Sequence, residues 1–324
     1  MARLIVWPHR FSKRRLLLTL AFVALCTTDV LAQRAETPIV GHYPGGHVGL
    51  RGGATPPEGS TGAFNFFRYN HPGDLKNANG GTIQSVNKDV FVNITGAQWS
   101  TKYKFFGMNY GGLLAVPFNN IYNRASGQST EASGFSLGDV VFSPLILFGK
   151  QENFDYQVGL AVWAPSGTFS PGASTNHGSG FWELLYSVGG VYYPDGKRNS
   201  FAISSVVRIE QNFKQRHTDI HVGDDVVMDW GISGPLLAFG ETFKHVFDIG
   251  VSGFATTQFT RETGMNAALN TSFYRVFGVG PEMNYYIPAW NLKFLFRPQF
   301  EFGARNTTQG HTYWLAVSYK FGHL

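Results

Sequence analysis

A small set of charged residues interrupts apolar stretches of the chain, and these side chains are the best placed to do chemistry. They are Lys293, Arg297, Glu301, Arg208, Glu210, Glu183 and Glu282. Charges of opposite sign inside a protein either neutralise each other in salt bridges or line a path for a solute. The residue types alone leave both alternatives open. We therefore take these residues as candidates that line an interior.

Other groups of residues that could form an active site give only weak signals. Ser, His and Asp residues are present, but the sequence does not place a Ser–His or Asp–His pair at the same height in the interior or at the rim of a barrel. His217 and His221 have the spacing of two metal ligands, yet Asp219 and Asp224 beside them are typical of a solvated loop. We therefore expect no enzyme, no catalytic residues, no metal and no cofactor.

The pattern around the candidate charges indicates strands. From Leu292 to Phe302 every second residue is apolar, and the residues between them are mostly polar. A period of two predicts a strand with one apolar and one polar face. An Arg or Lys on a lipid-facing surface costs roughly 2–4 kcal/mol near the bilayer midplane. In a membrane the apolar face, with Phe294 and Phe296, would thus meet lipid, and Lys293 and Arg297 would face inward.

The same alternation recurs along the chain, and helical periodicity is absent. We predict strands at about 62–70, 88–100, 104–118, 138–148, 153–164, 180–193, 199–213, 222–239, 244–259, 271–287, 290–304 and 311–321. The connections alternate between long and short, as in bacterial outer-membrane barrels. The predicted fold class is therefore all-β: a closed antiparallel transmembrane β-barrel of about 12 strands, within a range of 10–14.

The N-terminal region divides into a leader and an arm. Residues 1–32 combine five basic residues with a short apolar run and a small residue at the end, which is typical of a signal peptide. This segment contains one acidic residue, so its removal lowers the formal net charge from +5 to +1 and removes the argument for nucleic-acid binding. Residues 33–61, the arm, are rich in Gly and Pro and form either a plug or a disordered tail. Residues 62–324 form the predicted barrel.

Three prolines lie within predicted strands, where each removes a main-chain donor. Pro144, Pro281 and Pro298 therefore each mark an ordinary β-bulge or a lateral gap through which an apolar ligand could leave the interior.

Several stretches resemble the meta-pathway phenol degradation protein family, which is distantly similar to the long-chain fatty acid transporters. They are Gly138-Asp-Val-Val-Phe-Ser-Pro-Leu145, Gly159-Leu-Ala-Val-Trp-Ala-Pro-Ser-Gly-Thr-Phe169, Gly253-Phe-Ala-Thr-Thr-Gln258, Gly278-Val-Gly-Pro-Glu282, Phe300-Glu-Phe-Gly-Ala-Arg-Asn306 and Gly52-Gly-Ala-Thr-Pro-Pro-Glu-Gly59. They occur in order over nearly the whole mature chain. The resemblance implies an outer-membrane protein associated with aromatic degradation, and it supplies no binding residues.

Together these features predict an outer-membrane channel for passive uptake of small hydrophobic compounds, aromatic ones included. The alternative is a general diffusion porin or a structural barrel without selective transport. The expected partners are the lipid bilayer, lipopolysaccharide and a small hydrophobic ligand, with no nucleic acid. The expected location is the outer membrane of a Gram-negative bacterium with both termini periplasmic. The substrate and the oligomeric state stay open.

Overall fold

The computed structural model describes residues 38–124, 131–173, 175–239, 244–264 and 273–321. The predicted signal peptide, residues 1–32, and the first residues of the arm lie outside the described residues. In the described ranges the chain is almost entirely β-structure, and no helix there is long and apolar enough to cross a membrane.

Twelve long strands form one sheet. Their bounds are β1 Thr61–Lys76, β2 Lys88–Phe105, β3 Met108–Asn123, β4 Val140–Lys150, β5 Phe154–Ala164, β6 Glu183–Tyr192, β7 Ala202–Asn212, β8 Asp225–Ser233, β9 His245–Gln258, β10 Arg275–Ile287, β11 Leu292–Arg305 and β12 Thr308–Lys320. Short strands at Thr82–Ser85, Glu131–Ala132, Ser136–Leu137 and Leu237–Phe239 pair at the ends of the long strands, and Pro288–Trp290 forms a single 3₁₀ turn.

Every long strand pairs antiparallel with its neighbours along the chain, and the last strand returns to the first. In β1 and β12, Phe66 lies opposite Ala316 and Gly62 opposite Lys320. The sheet has no free edge among these strands, because β12 closes on β1. The predicted closed antiparallel barrel of about 12 strands is confirmed.

Side chains alternate between the two faces of the barrel wall. In β11, Leu295, Arg297 and Gln299 are buried inside. Phe296 and Phe300, which alternate with them, are 42% and 52% exposed on the outer face. The structure thus gives these phenylalanines the outward face that the period of two predicts, and it buries Arg297 on the inward face.

The connections differ in length at the two rims. The chain turns at 106–107, 151–153, 193–201, 234–244 and 288–291 on the rim where β1 begins and β12 ends. The opposite rim carries the connections 77–87, 124–139, 165–182, 213–224 and 259–274. The last connection at this rim is shorter than the predicted strands 290–304 and 311–321 imply, because β11 ends at Arg305 and β12 begins at Thr308. Asn306 adopts φ 50°, which permits this tight turn.

The three prolines occupy two different settings. Pro144 lies in a β-bulge of β4, where the register shifts against both β3 and β5. Pro281 of β10 and Pro298 of β11 face each other. The ladder of paired residues between these strands stops at Val279 opposite Phe300 and resumes at Met283 opposite Phe296. Two facing residues without an N–H group account for this interruption.

Candidate functional site

The described part of the arm, residues 38–60, runs through the barrel interior. At the rim with the longer connections, Nε2 of His42 lies 3.0 Å from Oδ2 of Asp139, which directly precedes β4. At the opposite rim, the hydroxyl of Thr55 donates to the carbonyl of Gly149, near the end of β4, over 2.6 Å. The arm therefore follows the whole length of this strand from one rim to the other.

Carboxylates on the barrel wall accept hydrogen bonds from the main chain of the arm. Oε1 of Glu210 in β7 accepts from the N–H of Tyr43 over 2.6 Å. Oε2 of Glu282 in β10 accepts from the N–H of Leu50 over 3.1 Å. Buried main-chain groups need partners, and the arm lacks the partners that a strand would have. Acidic side chains of the wall take the place of a neighbouring strand.

Asp229 of β8 holds the centre of the arm. It accepts from the N–H groups of Gly46 and Val48 over 2.7 and 3.2 Å. It also accepts from the hydroxyl of Tyr43 over 2.7 Å. Arg208 of β7 balances its charge, with Nη1 3.0 Å from Oδ2, and the guanidinium lies 4.1 Å from the centre of the Tyr43 ring. The buried carboxylate is thus paired and hydrogen-bonded, which makes its burial tolerable.

Arg297 of β11 joins the wall to the arm. Its Nε and Nη2 atoms donate to Glu282 over 2.7 and 3.0 Å, which is a bidentate pair. Its Nη1 atom donates to the carbonyl of Gly46 over 2.5 Å. Arg297 and Glu282 are 2% exposed. One salt bridge therefore connects two strands and holds the arm at both a donor and an acceptor of its main chain.

Arg51 anchors the end of the arm near the rim with the short turns. Its Nε lies 3.1 Å from Oδ2 of Asp248 in β9. Its Nη atoms donate to the carbonyls of Arg198, Ser200 and Gly234 over 2.9, 2.7 and 3.1 Å. These carbonyls belong to the connections after β6 and β8, so one side chain of the arm links two turns of this rim.

The glycines of the arm allow its close approach to the wall. Gly46 has φ +80°, and a Cβ there would overlap the amide of Gln299. A Cβ on Gly49 would overlap the carboxylate of Glu282. Only glycine combines this backbone conformation with this proximity. The Gly-rich composition of the arm is therefore explained by its contacts in the interior.

His42 forms an ionic contact at the rim with the longer connections. Its Nδ1 lies 2.8 Å from Oε2 of Glu183, and its Nε2 faces Asp139. Burial lowers the pKa of His42, but the hydrogen bonds and charges of Asp139 and Glu183 outweigh this effect and raise the pKa to about 9. Burial raises the pKa of Asp139, but the hydrogen bond and the charge of His42 outweigh this effect, so the pKa of the carboxyl is lowered. The imidazole is therefore charged at neutral pH.

The other half of the interior is mostly apolar. A cavity of about 370 Å³ lies between the arm and the wall formed mainly by β1 to β6. The wall contributes apolar side chains, among them Phe64, Phe66, Ile94, Leu113, Val141 and Leu185, and fewer polar ones, among them Gln98, Ser143, Gln157 and Ser187. The residues that the arm contributes include Tyr43, Pro44, His47, Val48 and Arg51. The interior is thus divided into a charged side, which holds the arm, and a mostly apolar side, which holds an open space.

The structure brings most of the predicted charged residues to the arm. Glu183, Glu210, Glu282, Arg208 and Arg297 all contact the arm or the carboxylates that hold it. Two others lie elsewhere in the structure.

Lys293 is half-buried, with its Nζ atom 5.4 Å from the centre of the Tyr286 ring. The carboxylate of Glu301 accepts from the N–H of Gly310 over 2.7 Å at the start of β12. Neither residue takes part in the contacts with the arm that are described above.

Sequence reasoning missed several residues of this site. Asp139, Asp229 and Asp248 hold the arm as firmly as the predicted residues, and His42 and Arg51 are their partners on the arm. A signal was present for Asp229, because it lies four residues after Asp225 and therefore on the same, inward face of β8. No pattern local to the arm indicates which carboxylate it meets.

No catalytic or metal centre emerges from the described residues. Within these ranges, no cluster of three or more His, Cys, Asp or Glu side chains is arranged to hold a metal ion. Gly134-Phe-Ser-Leu-Gly138 has the spacing of a hydrolase nucleophile turn, which requires a sharp turn from a strand into a helix. Ser136 instead lies in a short strand and pairs with Asn119 of β3.

Comparison with solved structures shows the same fold in another barrel. The chain is similar to the COG4313 outer membrane channel from Pseudomonas putida F1, with a TM-score of 0.68 and 11% identity over 86% of this chain and 100% of that chain. At this identity the likeness concerns the fold alone. A weaker likeness, with a TM-score of 0.47 and 9% identity, links it to the β domain of the Bordetella autotransporter BrkA, over 82% of this chain and 100% of that chain. A comparison with curated proteins found no match.

Comparison with family models agrees with the resemblance drawn from the sequence. The model described as "Putative MetA-pathway of phenol degradation" matches residues 73–317, which is well over half of the chain. The match begins in β1 and ends in β12, so it covers nearly the whole barrel wall. The chain belongs to the family of the MetA-pathway of phenol degradation.

Proposed function

We propose that this protein is an outer-membrane channel through which small hydrophobic compounds, aromatic ones included, enter the cell by passive diffusion. The observation that carries the proposal is the apolar cavity of about 370 Å³ between the arm and the β1–β6 wall. Its volume lies within the roughly 300–1,000 Å³ typical of small-molecule sites. Family membership and the barrel fold support the same proposal.

The outer surface supports a location in a bilayer. The outward side chains of β11 include Phe294, Phe296, Phe300 and Phe302, which are 41–52% exposed. Such a surface is unfavourable in water and favourable in lipid. In the proposed orientation the short turns, the start of β1 and the end of β12 face the periplasm, and the longer connections face lipopolysaccharide.

The arm argues against a general diffusion porin. A porin needs a continuous polar channel, and here most of the buried charged side chains of the interior are engaged with the arm. Arg208, Arg297 and Arg51 are each paired with a carboxylate. Two of these carboxylates, Asp229 and Glu282, also accept hydrogen bonds from the main chain of the arm. We therefore assign the arm the role of a plug, which blocks polar solutes while the apolar side stays available.

The exit from the cavity is the second part of the proposal. Pro281 and Pro298 interrupt main-chain pairing between β10 and β11, and an apolar groove on the outer face reaches Met283 and Phe296, where pairing resumes. We infer that an apolar ligand leaves laterally into the bilayer at this interruption when the arm moves. The bulge at Pro144 has no facing proline and is the weaker candidate.

A transport measurement tests the proposed function. The full-length protein is reconstituted into vesicles whose outer leaflet contains lipopolysaccharide, because this leaflet slows apolar solutes. We expect faster toluene entry than in protein-free vesicles, with no increase in the entry of a small sugar. Rapid passage of the sugar would instead favour a general diffusion porin. Entry of both solutes at the protein-free rate would favour a structural barrel.

A further inference from the structure

The hairpin between β2 and β3 extends beyond the strand beside it. The pairing of β2 with β1 ends where Trp99 faces Thr61, yet β2 continues to Phe105. The turn at 106–107 therefore projects from the rim that carries the short turns. We name residues 100–109 the rim hairpin.

Phe106, at the tip of the rim hairpin, combines exposure with an unfavourable backbone conformation. Its side chain is 95% exposed, and its φ of 53° is followed by a φ of 80° at Gly107. Two successive residues with positive φ form a tight hairpin turn in which Asn-Gly is the preferred pair. A bulky residue with positive φ is an outlier, and such outliers cluster at functional sites. Phe106 therefore indicates a partner that stabilises an exposed aromatic ring.

The aromatic side chains of the rim hairpin continue the lipid-facing surface of the wall. Gln98 lines the interior cavity, so the neighbouring Trp99 points outward. Tyr103 lines one groove with Trp99, and the ring of Phe105 lies 5.9 Å from that of Tyr110. Aromatic side chains are enriched where a membrane protein meets the lipid head groups. This continuity identifies the bilayer as the surface that the rim hairpin meets.

A groove of about 610 Å³ lies at the base of the rim hairpin, where the arm leaves the barrel. Trp99 and Tyr103 contribute aromatic side chains to it, Lys102 contributes an ammonium group, and Gly59 belongs to the arm. Lysine is attracted to anionic lipid head groups, and aromatic rings pack against the apolar part of a lipid. The groove thus has the two kinds of side chain that an anionic phospholipid requires.

Two lysines of the rim hairpin differ in their partners. Nζ of Lys104 lies 3.6 Å from Oε2 of Glu58 in the arm. The salt bridges of the described residues include none with Lys102. The side chain of Lys102 lies beside Gly59, where an added Cβ would be 3.1 Å from its Cε. Lys102 therefore has an ammonium group available for a phosphate, next to the end of the arm.

We propose that the rim hairpin binds an anionic phospholipid of the periplasmic leaflet of the outer membrane. The lipid phosphate contacts the ammonium group of Lys102, the glycerol region packs against Trp99 and Tyr103, and the ring of Phe106 lies among the head groups. This inference rests on the orientation proposed above, in which the short turns face the periplasm. It does not depend on which solute is transported.

The position of the tip is tested with a nitrobenzoxadiazole label in Phe106→Cys. The only native cysteine, Cys26, lies in the predicted signal peptide, so the mature protein carries the label at one site. The mature protein is placed in nanodiscs of phosphatidylethanolamine and phosphatidylglycerol, and quenching by lipids with a nitroxide at the head group is measured. Lys197→Cys is the matched control. It lies in the turn after β6, which Arg51 holds over the interior through the carbonyl of Arg198.

We expect strong quenching of the label at position 106 and weak quenching at position 197. Equal quenching at the two positions would overturn the proposal. A label at position 106 that emits as it does in water would also overturn it, and would leave the rim hairpin available to a periplasmic protein.

The preference for an anionic head group is tested by native mass spectrometry. The mature protein in micelles is titrated with phosphatidylglycerol or phosphatidylethanolamine. We expect Lys102→Gln to weaken binding of phosphatidylglycerol about fivefold, which is the attraction of one lysine to an anionic lipid surface, and to leave phosphatidylethanolamine binding unchanged. Lys197→Gln removes the same charge from another turn of this rim and should bind both lipids as the native protein does.

The outcomes separate this site from the location on which it rests. An equal effect of Lys102→Gln and Lys197→Gln, or equal binding of the two lipids by the native protein, would overturn the anionic site. Failure of the native protein to enter nanodiscs would instead overturn the proposed location in the outer membrane.

Discussion

Arg297 and Glu282 face each other on β11 and β10, directly inside the point where the two strands lack main-chain pairing. Their side chains form two hydrogen bonds of 2.7 and 3.0 Å. The next facing pair, Pro298 and Pro281, lies in the interruption of the ladder. The salt bridge therefore joins the two strands where their main chains do not, and the arm binds to the same two side chains.

The salt bridge should be important for stability. Removal of one partner, in Arg297→Met or Glu282→Met, leaves the other buried without its pair, and such changes typically cost about 3–5 kcal/mol. We expect both single variants to lower the thermal midpoint of the folded barrel, as followed by its altered migration in electrophoresis. The double variant Arg297→Met/Glu282→Met should recover part of the loss. A double variant as unstable as the sum of the singles would contradict this coupling.

Substitution of Gly46 should displace the arm. In Gly46→Val the side chain would overlap Gln299, and the residue would also have to adopt φ +80°. We expect the arm to become accessible to a protease and the ion conductance of the barrel in a planar bilayer to rise several-fold. Gly62→Ala is the control, because a Cβ there meets its nearest atom at 3.7 Å. An arm that stays protected in Gly46→Val would show that these contacts do not hold it.

Docking of the arm should depend on pH through His42. Its pKa is raised from 6.5 to about 9 in the docked state, so its contribution is fully present below pH 6.5 and is lost as the pH rises through 9. The shift corresponds to about 3 kcal/mol at most. The pKa of Asp139 is lowered from 3.8, so its contribution is lost as the pH falls below about 4.

Protease accessibility of the arm, measured between pH 4 and 10, checks this dependence. The native arm should be most protected between about pH 4 and 6.5 and less protected above pH 9. His42→Gln should be more accessible at pH 6 and should differ little from the native protein above pH 9. A native arm that is equally protected at pH 6 and pH 10 would contradict the role of His42.

A main-chain donor placed at the strand interruption should impede lateral exit. Pro298→Val and Pro281→Val restore an N–H group between β10 and β11 and allow the ladder to continue. We expect slower toluene entry into lipopolysaccharide-containing vesicles at unchanged barrel yield. Pro144→Val, in the bulge of β4, is the matched comparison and should have a smaller effect. Unchanged toluene entry in both β10 and β11 variants would exclude exit at this point.

The barrel was largely predictable from the sequence because its signals are local. Alternation such as that in β11, together with turn residues between strands, predicted all twelve strands, although the ends of β1, β2, β3 and β8 differ from the predicted ones by five or six residues. Some of these ends depend on partners outside the strand. β1 continues to Lys76 because its final residues pair with Thr82–Ser85 and with β12. The last hairpin is tighter than predicted because Asn306 adopts a left-handed conformation.

The interior was predictable only in part. A charged residue such as Arg297 within an apolar alternation is predicted to face inward, because a charge that faces lipid is costly. The partners of such residues could not be inferred, because Gly46 and Leu50 are separated from Arg297 and Glu282 by most of the chain.

The position of the arm also constrains the order of assembly. The arm precedes β1 and is synthesised before any strand, yet Glu210, Asp229, Asp248, Glu282 and Arg297, which hold it, lie on β7 to β11. Its binding surface therefore comes into existence only after most of the wall has formed. The arm is synthesised before the strands but can dock only after most of them have formed. Protection of the arm from a protease therefore indicates that the barrel is complete.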